Sequence, residues 1–455
     1  MNKKCLWILS EERPKSEVIK VLVELYSAKF HKRLQCKEVK ILPVIAANSF
    51  EFIYCIKGIE IDNIAGIFLK LVSGNSSFVD FLIYESGITK PELTEAPLLL
   101  AEETKTTDKE SRNTGVFQRA SKFVYVDMIY PNVEKVMIYN LKVEEQVNLT
   151  DTNVFGTKCL KTIGVTIVGK QNLASVQPFT SIDELISEKN RMRPPPRGNV
   201  PITITKRQNE LLVSGRLFKS GNLSHDPNIG ALTLISKAAR NLNWDKRIII
   251  INHGLSQKHL NPNNKFVIIA NNLTLELDGL RLPIATIPTS YWYYEHNSEK
   301  IVGILLHVLA LNSDSLIPIY ENHAGCERGY FYDIHGAPHT IPKYINEDKS
   351  LGIIPLADLI IRDDLNKEII LIEAKISSKL NEAIRDINDY SPLEQYVLPF
   401  YKGYTFKRTV VLYGDYVENE NIAFILNNDG KLHFPNSHRF SFIEKIKEAI
   451  SLLSK

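Results

Sequence analysis

Leu98–Arg112, "LLLAEETKTTDKESR", runs from an apolar stretch directly into Glu102, Glu103 and Lys105. The apolar part reads as a buried strand. Charge at the end of such a strand is costly to bury unless it lines a cleft where it is used. Ile369–Lys379, "IILIEAKISSK", repeats the pattern with Glu373 and Lys375. Working outward from these two stretches gives an α/β chain built from two similar units.

The bulk properties set limits. A chain of 455 residues exceeds one ordinary core and predicts two or three domains. With 44% hydrophobic and 24% charged residues it should be folded throughout. The formal charge of +3 requires any nucleic-acid surface to be local. The cysteines are scattered, without a C-x-x-C pair or a histidine at zinc spacing, which argues for reduced thiols and against structural zinc. The short apolar run in "MNKKCLWILSEERPK" is followed by charge and reads as a first strand. No segment approaches the roughly 18 apolar residues of a membrane span, so a cytoplasmic protein with no membrane partner is expected. No P-loop is present.

Pro14–Leu34 has helical spacing at Val18, Leu22, Leu25 and Phe30. "GIFLKLVS", "GNSS" and "FVDFLIYE" predict a hairpin, followed by the strand "APLLLAEETK". "NTGVFQRASKFVYVDMIY" reads as a helix running into a strand, with further strands at "KVMIYNL" and "CLKTIGVTIVG". The three prolines in "NRMRPPPRGNVP" mark a linker. Beyond it, "RIIIINHG" and "KFVIIANN" read as strands of a middle region. The C-terminal part repeats the earlier order, with "LADLIIR", a turn, "EIILIEAK", two helical stretches, "RTVVLYG" and the amphipathic helix "SFIEKIKEAISLL". The expected domains are therefore an N-terminal unit over 1–190, a linker and middle region over 191–310, and a C-terminal unit over 311–455. The middle region either serves recognition or continues the first unit.

Asp358 and Glu373 flank a short turn, so an antiparallel hairpin sets them side by side. Alternation along the strand puts Lys375 on the face of Glu373. In the N-terminal unit Asp80, Glu103 and Lys105 supply the same residue types around a longer connection centred near Pro91. Neighbouring carboxylates repel unless a cation lies between them, and a hard divalent ion such as Mg²⁺ meets that need. A lysine beside the ion orients or helps deprotonate a water and offsets phosphate charge.

Asp80…Glu103-Thr104-Lys105 and Pro355-Leu-Ala-Asp358…Glu373-Ala374-Lys375 resemble the PD-(D/E)XK nuclease signature, the superfamily that holds many type II restriction endonucleases. The resemblance covers a few residues in each half. It implies two PD-(D/E)XK-like units, each a mixed central sheet flanked by helices. It also implies Mg²⁺ held by Asp80 with Glu103 and by Asp358 with Glu373, with Lys105 and Lys375 serving the water. Val79 stands where the signature has proline, and Pro355 lies three residues before Asp358.

Arg112, Asn113, Gln118 and Arg119 follow the first motif and are candidates for phosphate or base-edge contacts, or for a solvated loop and helix start. Arg193 and Arg197 lie in a basic stretch that either tracks a DNA backbone or serves as a soluble linker. "PTSYWYYEHN" suits base stacking or a core strand. Together these readings predict a Mg²⁺-dependent type II restriction endonuclease. Its substrate would be double-stranded DNA, and it would work as a monomer or homodimer beside a cognate DNA methyltransferase, with one active site for each strand. The rival readings are a homodimeric nuclease with one vestigial copy and a non-enzymatic DNA-binding protein.

Overall fold

The computed structural model describes residues 4–47, 49–74, 77–87, 89–104, 115–139, 151–169, 171–192, 202–219, 222–223, 228–321, 329–346, 349 and 352–453. The fold is mixed α/β and divides into two compact units that do not follow chain order. One unit joins Met1–Val72, Ser86–Thr89 and Tyr294–Lys455, and the other joins Ser73–Glu85 and Lys90–Tyr293. The boundaries drawn from sequence at 190 and 310 therefore give way. The first strands group with the C-terminal motif, and the middle region as far as Tyr293 groups with the N-terminal motif.

A helix from the later part of the chain, packed on both sheets, explains the first regrouping. Lys4–Ser10 lies parallel to Ile64–Gly74, which is antiparallel to Ser49–Ile61, itself antiparallel to Leu34–Ala46. Both edges of Ile64–Gly74 are occupied, so the hairpin expected across "GNSS" does not form. The second sheet of this unit runs Pro338–Thr340, Tyr330–Tyr332, Leu316–Glu321, Leu359–Asp363, Glu368–Ile376, Thr405–Tyr413, Ile422–Leu426 and Leu432–His433. Its strands are antiparallel up to Glu368–Ile376 and parallel from there to Ile422–Leu426. The parallel part is covered, and Ile369 through Ile372 are fully buried, as an unbroken apolar run in such a strand requires. Helix Glu299–Leu311 packs against this sheet and against Leu34–Ala46. Its C-cap residue Asn312 donates to the Ile41 carbonyl at 2.9 Å.

In the other unit Phe81–Ser86 is antiparallel to Leu99–Glu103, which is parallel to Glu134–Ile138 and through it to Val165–Val168. A second sheet holds Leu275–Leu277, Arg247–Asn252 and Glu210–Gly215 in parallel, with Thr203–Lys206 antiparallel at one edge. Helix Gly115–Ile129 packs on Asn228–Asn241. The approach there is so close that a Cβ on Gly230 would lie 1.6 Å from the Phe117 carbonyl oxygen. This contact ties the middle region to the N-terminal motif.

Two local readings change. "KFVIIANN" is the helix Lys265–Asn272, because the Asn264 side chain caps it by accepting the Phe266 N–H at 2.9 Å. A short apolar run does not by itself separate buried strand from buried helix. The stretch after Asn113 is helical over Gly115–Ile129 instead of turning into a strand, and Cys159–Thr162 closes the helix Asp151–Thr162 before the strand Val165–Val168. Among the described residues no helix is long and apolar enough to cross a membrane.

An ion triad braces this unit: Asp127 meets Lys135 at 2.5 Å and Lys237 at 2.7 Å. Burial pushes the Asp127 carboxyl up, but the hydrogen bonds from the two lysines outweigh it and hold it below the ordinary carboxylate range. A depressed carboxyl contributes stability above its unfolded value, and that contribution is lost as pH falls through the folded one. Asp127→Asn is therefore expected to cost on the order of 3 kcal/mol near neutral pH, because Lys135 is left buried without its carboxylate. The gap from wild type should narrow below about pH 4. Thermal melting from pH 3 to pH 7 reads this directly.

Candidate active sites

The hairpin register places the acidic residues. Leu359 pairs with Ile372, so Asp358 falls opposite Glu373. The Ala374 N–H donates to Asp358 Oδ2 at 2.9 Å, fixing one carboxylate against the strand that carries the other. Glu373 Oε1 lies 2.6 Å from Lys375 Nζ, and its Oε2 accepts from the Tyr390 hydroxyl. Lys375 also lies 3.3 Å from Asp386 and 3.9 Å from Glu382, two residues one turn apart on the helix Leu380–Asn388. Burial pushes the Asp358 carboxyl up, and repulsion from Glu373 adds to it. Glu373 is raised as well, mainly by burial. Burial pulls the Lys375 ammonium down, but the bond to Glu373 prevails and holds it above the usual lysine range. Tyr390 is raised by burial and by Glu373, so it stays protonated and donating.

The second site has the same form with one change of residue. Phe81 pairs with Ala101, so the residue opposite Asp80 is Glu102, not Glu103. Glu103 contributes its N–H, donated to Asp80 Oδ2 at 2.7 Å, as Ala374 does at the other site. Alternation then puts the Glu103 side chain on the opposite strand face from Glu102. The expectation that Glu103 partners Asp80 is corrected accordingly. Glu102 is fully buried. Its Oε1 accepts from Lys122 Nζ at 2.7 Å, while its Oε2 lacks a hydrogen-bond donor and faces Arg119 Nε at 3.7 Å. Lys122 Nζ also lies 3.8 Å from Asp80 Oδ1. Burial, then repulsion from Asp80, pushes the Glu102 carboxyl up to about 8 against the pull of Lys122 and Arg119.

A buried tyrosine anchors the segment that leads to Asp80. Tyr291 OH donates to the Ser77 carbonyl and accepts the Val79 N–H, both at 2.9 Å. Tyr291 and Trp292 are buried, so these two aromatics of "PTSYWYYEHN" are core and not a stacking platform. Arg119 donates to the Glu103 carbonyl at 2.8 Å and so belongs to the carboxylate cluster. Gln118 is half-buried on the same helix. Lys105, Arg112, Asn113, Arg193 and Arg197 lie outside the described residues.

The donor chemistry fits a hard divalent cation. Each site offers two carboxylates opposite one another on paired strands, both at the C-terminal site are pushed up by burial even with Lys375 against Glu373, and the donors are oxygen alone. Among the described residues no three His, Cys, Asp or Glu side chains converge as a complete cage. A two-carboxylate set suits Mg²⁺, which retains waters and takes up substrate phosphate oxygens. Asp80 with Glu102, and Asp358 with Glu373, would hold it.

Sequence reading missed Glu102, Lys122, Tyr390 and Asp386. The first follows from hairpin register only once the pairing of Phe81 with Ala101 is known. Arg119 and Lys122 stand three apart on a helix and share a face, but nothing local shows that this face meets Glu102. No protein-family model, curated protein or solved structure matches the chain.

Proposed function

We propose that the chain is a Mg²⁺-dependent DNA endonuclease of the type II restriction class, built from two PD-(D/E)XK-like units with one active site for each strand of double-stranded DNA. The supporting observation is recurrence. In both units an aspartate accepts the N–H of the residue after a glutamate, and that glutamate is bonded to a lysine. A structural ion pair has no need to be built twice on the same strand–strand–helix frame.

Bound Mg²⁺ would supply charge to stabilise the phosphorane-like transition state and acidify a water. The chain's own groups do the rest. Asp358 and Glu373 would hold the ion, and Tyr390 orients Glu373 by donating to its Oε2. Lys375, held as an ammonium, donates to the attacking water and offsets phosphate charge, and the water's proton passes to solvent as the oxygen adds to phosphorus. The bond from phosphorus to the leaving sugar oxygen breaks, and that oxygen takes up a proton. The enzyme would work in the cytoplasm beside a DNA methyltransferase that protects the host sequence.

A second reading has one observation in its favour. The two N-terminal carboxylates are balanced by Lys122 and Arg119, whereas Lys375 is surrounded by Glu373, Asp386 and Glu382. The N-terminal copy would then serve recognition, and a homodimer would cut both strands. Incubating the protein with long double-stranded DNAs in Mg²⁺ and in EDTA tests the shared claim. Discrete fragments are expected with Mg²⁺ and none with EDTA. Binding without scission in Mg²⁺ or Mn²⁺ would leave a DNA-binding protein instead.

A further inference from the structure

We infer that Lys122 is the catalytic lysine of the N-terminal site, supplied from a helix where the C-terminal site supplies Lys375 from its strand; this rests on the nuclease reading above. The place two residues beyond Glu102, on the same strand face, is held by Thr104, which is buried. It carries no charge to offer phosphate or water. The ammonium comes instead from the helix Gly115–Ile129.

The two sites correspond group by group. Asp80 and Asp358 each accept the N–H that follows the site glutamate. Glu102 and Glu373 each give one oxygen to a lysine, at 2.7 and 2.6 Å. The other oxygen faces Arg119 in one site and Tyr390 in the other. Besides that facing group, a guanidinium in one site and a phenol in the other, the chain origin of the lysine differs. Lys122 reaches both carboxylates, which places its Nζ beside the position an ion and its water would take. A flexible four-carbon stem ending in a compact ammonium can reach that point from a helix and withdraw slightly when the ion enters.

The competing role is plain charge compensation of buried Glu102, and the test separates the two. Duplex DNA with each strand separately labelled is cut under single-turnover conditions in Mg²⁺ by wild type, Lys122→Met, Lys122→Arg and Lys105→Ala. The pH profile of each strand's rate and the melting temperature are measured alongside. Lys122→Met is expected to slow one strand by about 100-fold or more, far beyond Lys105→Ala, with the other strand little changed. Lys122→Arg keeps the charge and is expected to keep the melting temperature, but to slow the same strand at least about tenfold, because a planar guanidinium fork does not put a compact ammonium at the same point. Wild-type rate and pH profile in Lys122→Arg, with that strand lost in Lys105→Ala, would overturn the inference and leave Lys122 a counter-ion. If wild type cuts neither strand, the nuclease reading itself falls and takes this assignment with it.

Discussion

Glu373→Gln is expected to leave supercoiled plasmid as a nicked circle, with the linear product reduced by about 100-fold or more. The substitution keeps the shape and one oxygen acceptor but removes the charge that would hold the cation, and it replaces the Lys375 ion pair with a weaker amide contact. Glu373 is nearly buried and sits between Lys375 and Tyr390, so no other carboxylate takes its place without moving the strand. The nick should fall on a single strand, identified by sequencing from the break. Uncut plasmid would mean that C-terminal sites cut both strands, one from each copy, as in the homodimeric reading. Unchanged linear product would remove Glu373 from the chemistry.

The second large effect separates neighbours in sequence. Glu102→Gln is expected to abolish cutting of the complementary strand, again by about 100-fold or more, while Glu103→Gln stays within about tenfold of wild type. The physical basis is register: Asp80 lies opposite Glu102, and Glu103 reaches Asp80 through its backbone N–H, which a glutamine retains. Strand-resolved cleavage of one labelled duplex by both variants reads the contrast in a single experiment. If Glu103→Gln is the inactive variant, the hairpin is shifted by one residue in the working enzyme, and every side chain on that strand changes face.

Much of the C-terminal site was legible because its signal is local. Asp358, Glu373 and Lys375 lie on two strands joined by a short turn, and period-two alternation is enough to bring them together. The N-terminal site was only half legible. Its connection is long enough that Glu102 and Glu103 fit the spacing equally well, and its lysine comes from a helix whose docking no local pattern encodes. The division into units was illegible for the same reason. Nothing in Leu34–Ala46 announces a partner more than two hundred residues away, and the proline run that marks a linker by composition is not where the units part. The exchange of strand for helix in "KFVIIANN" turned on one asparagine cap.

That division also sets an order of events at the ribosome. The sheet carrying Leu34–Ala46 emerges early, but helix Glu299–Leu311, which covers it, follows only after about 220 further residues, a wait of about 10 to 45 s at ordinary elongation rates. The unit carrying Asp80 and Glu102 is synthesised whole within that interval, while the unit carrying Asp358 and Glu373 is still missing its sheet. On the proposed reading, a chain with one cutting centre completed long before the other would, as it is made, be able to nick DNA but not to break it.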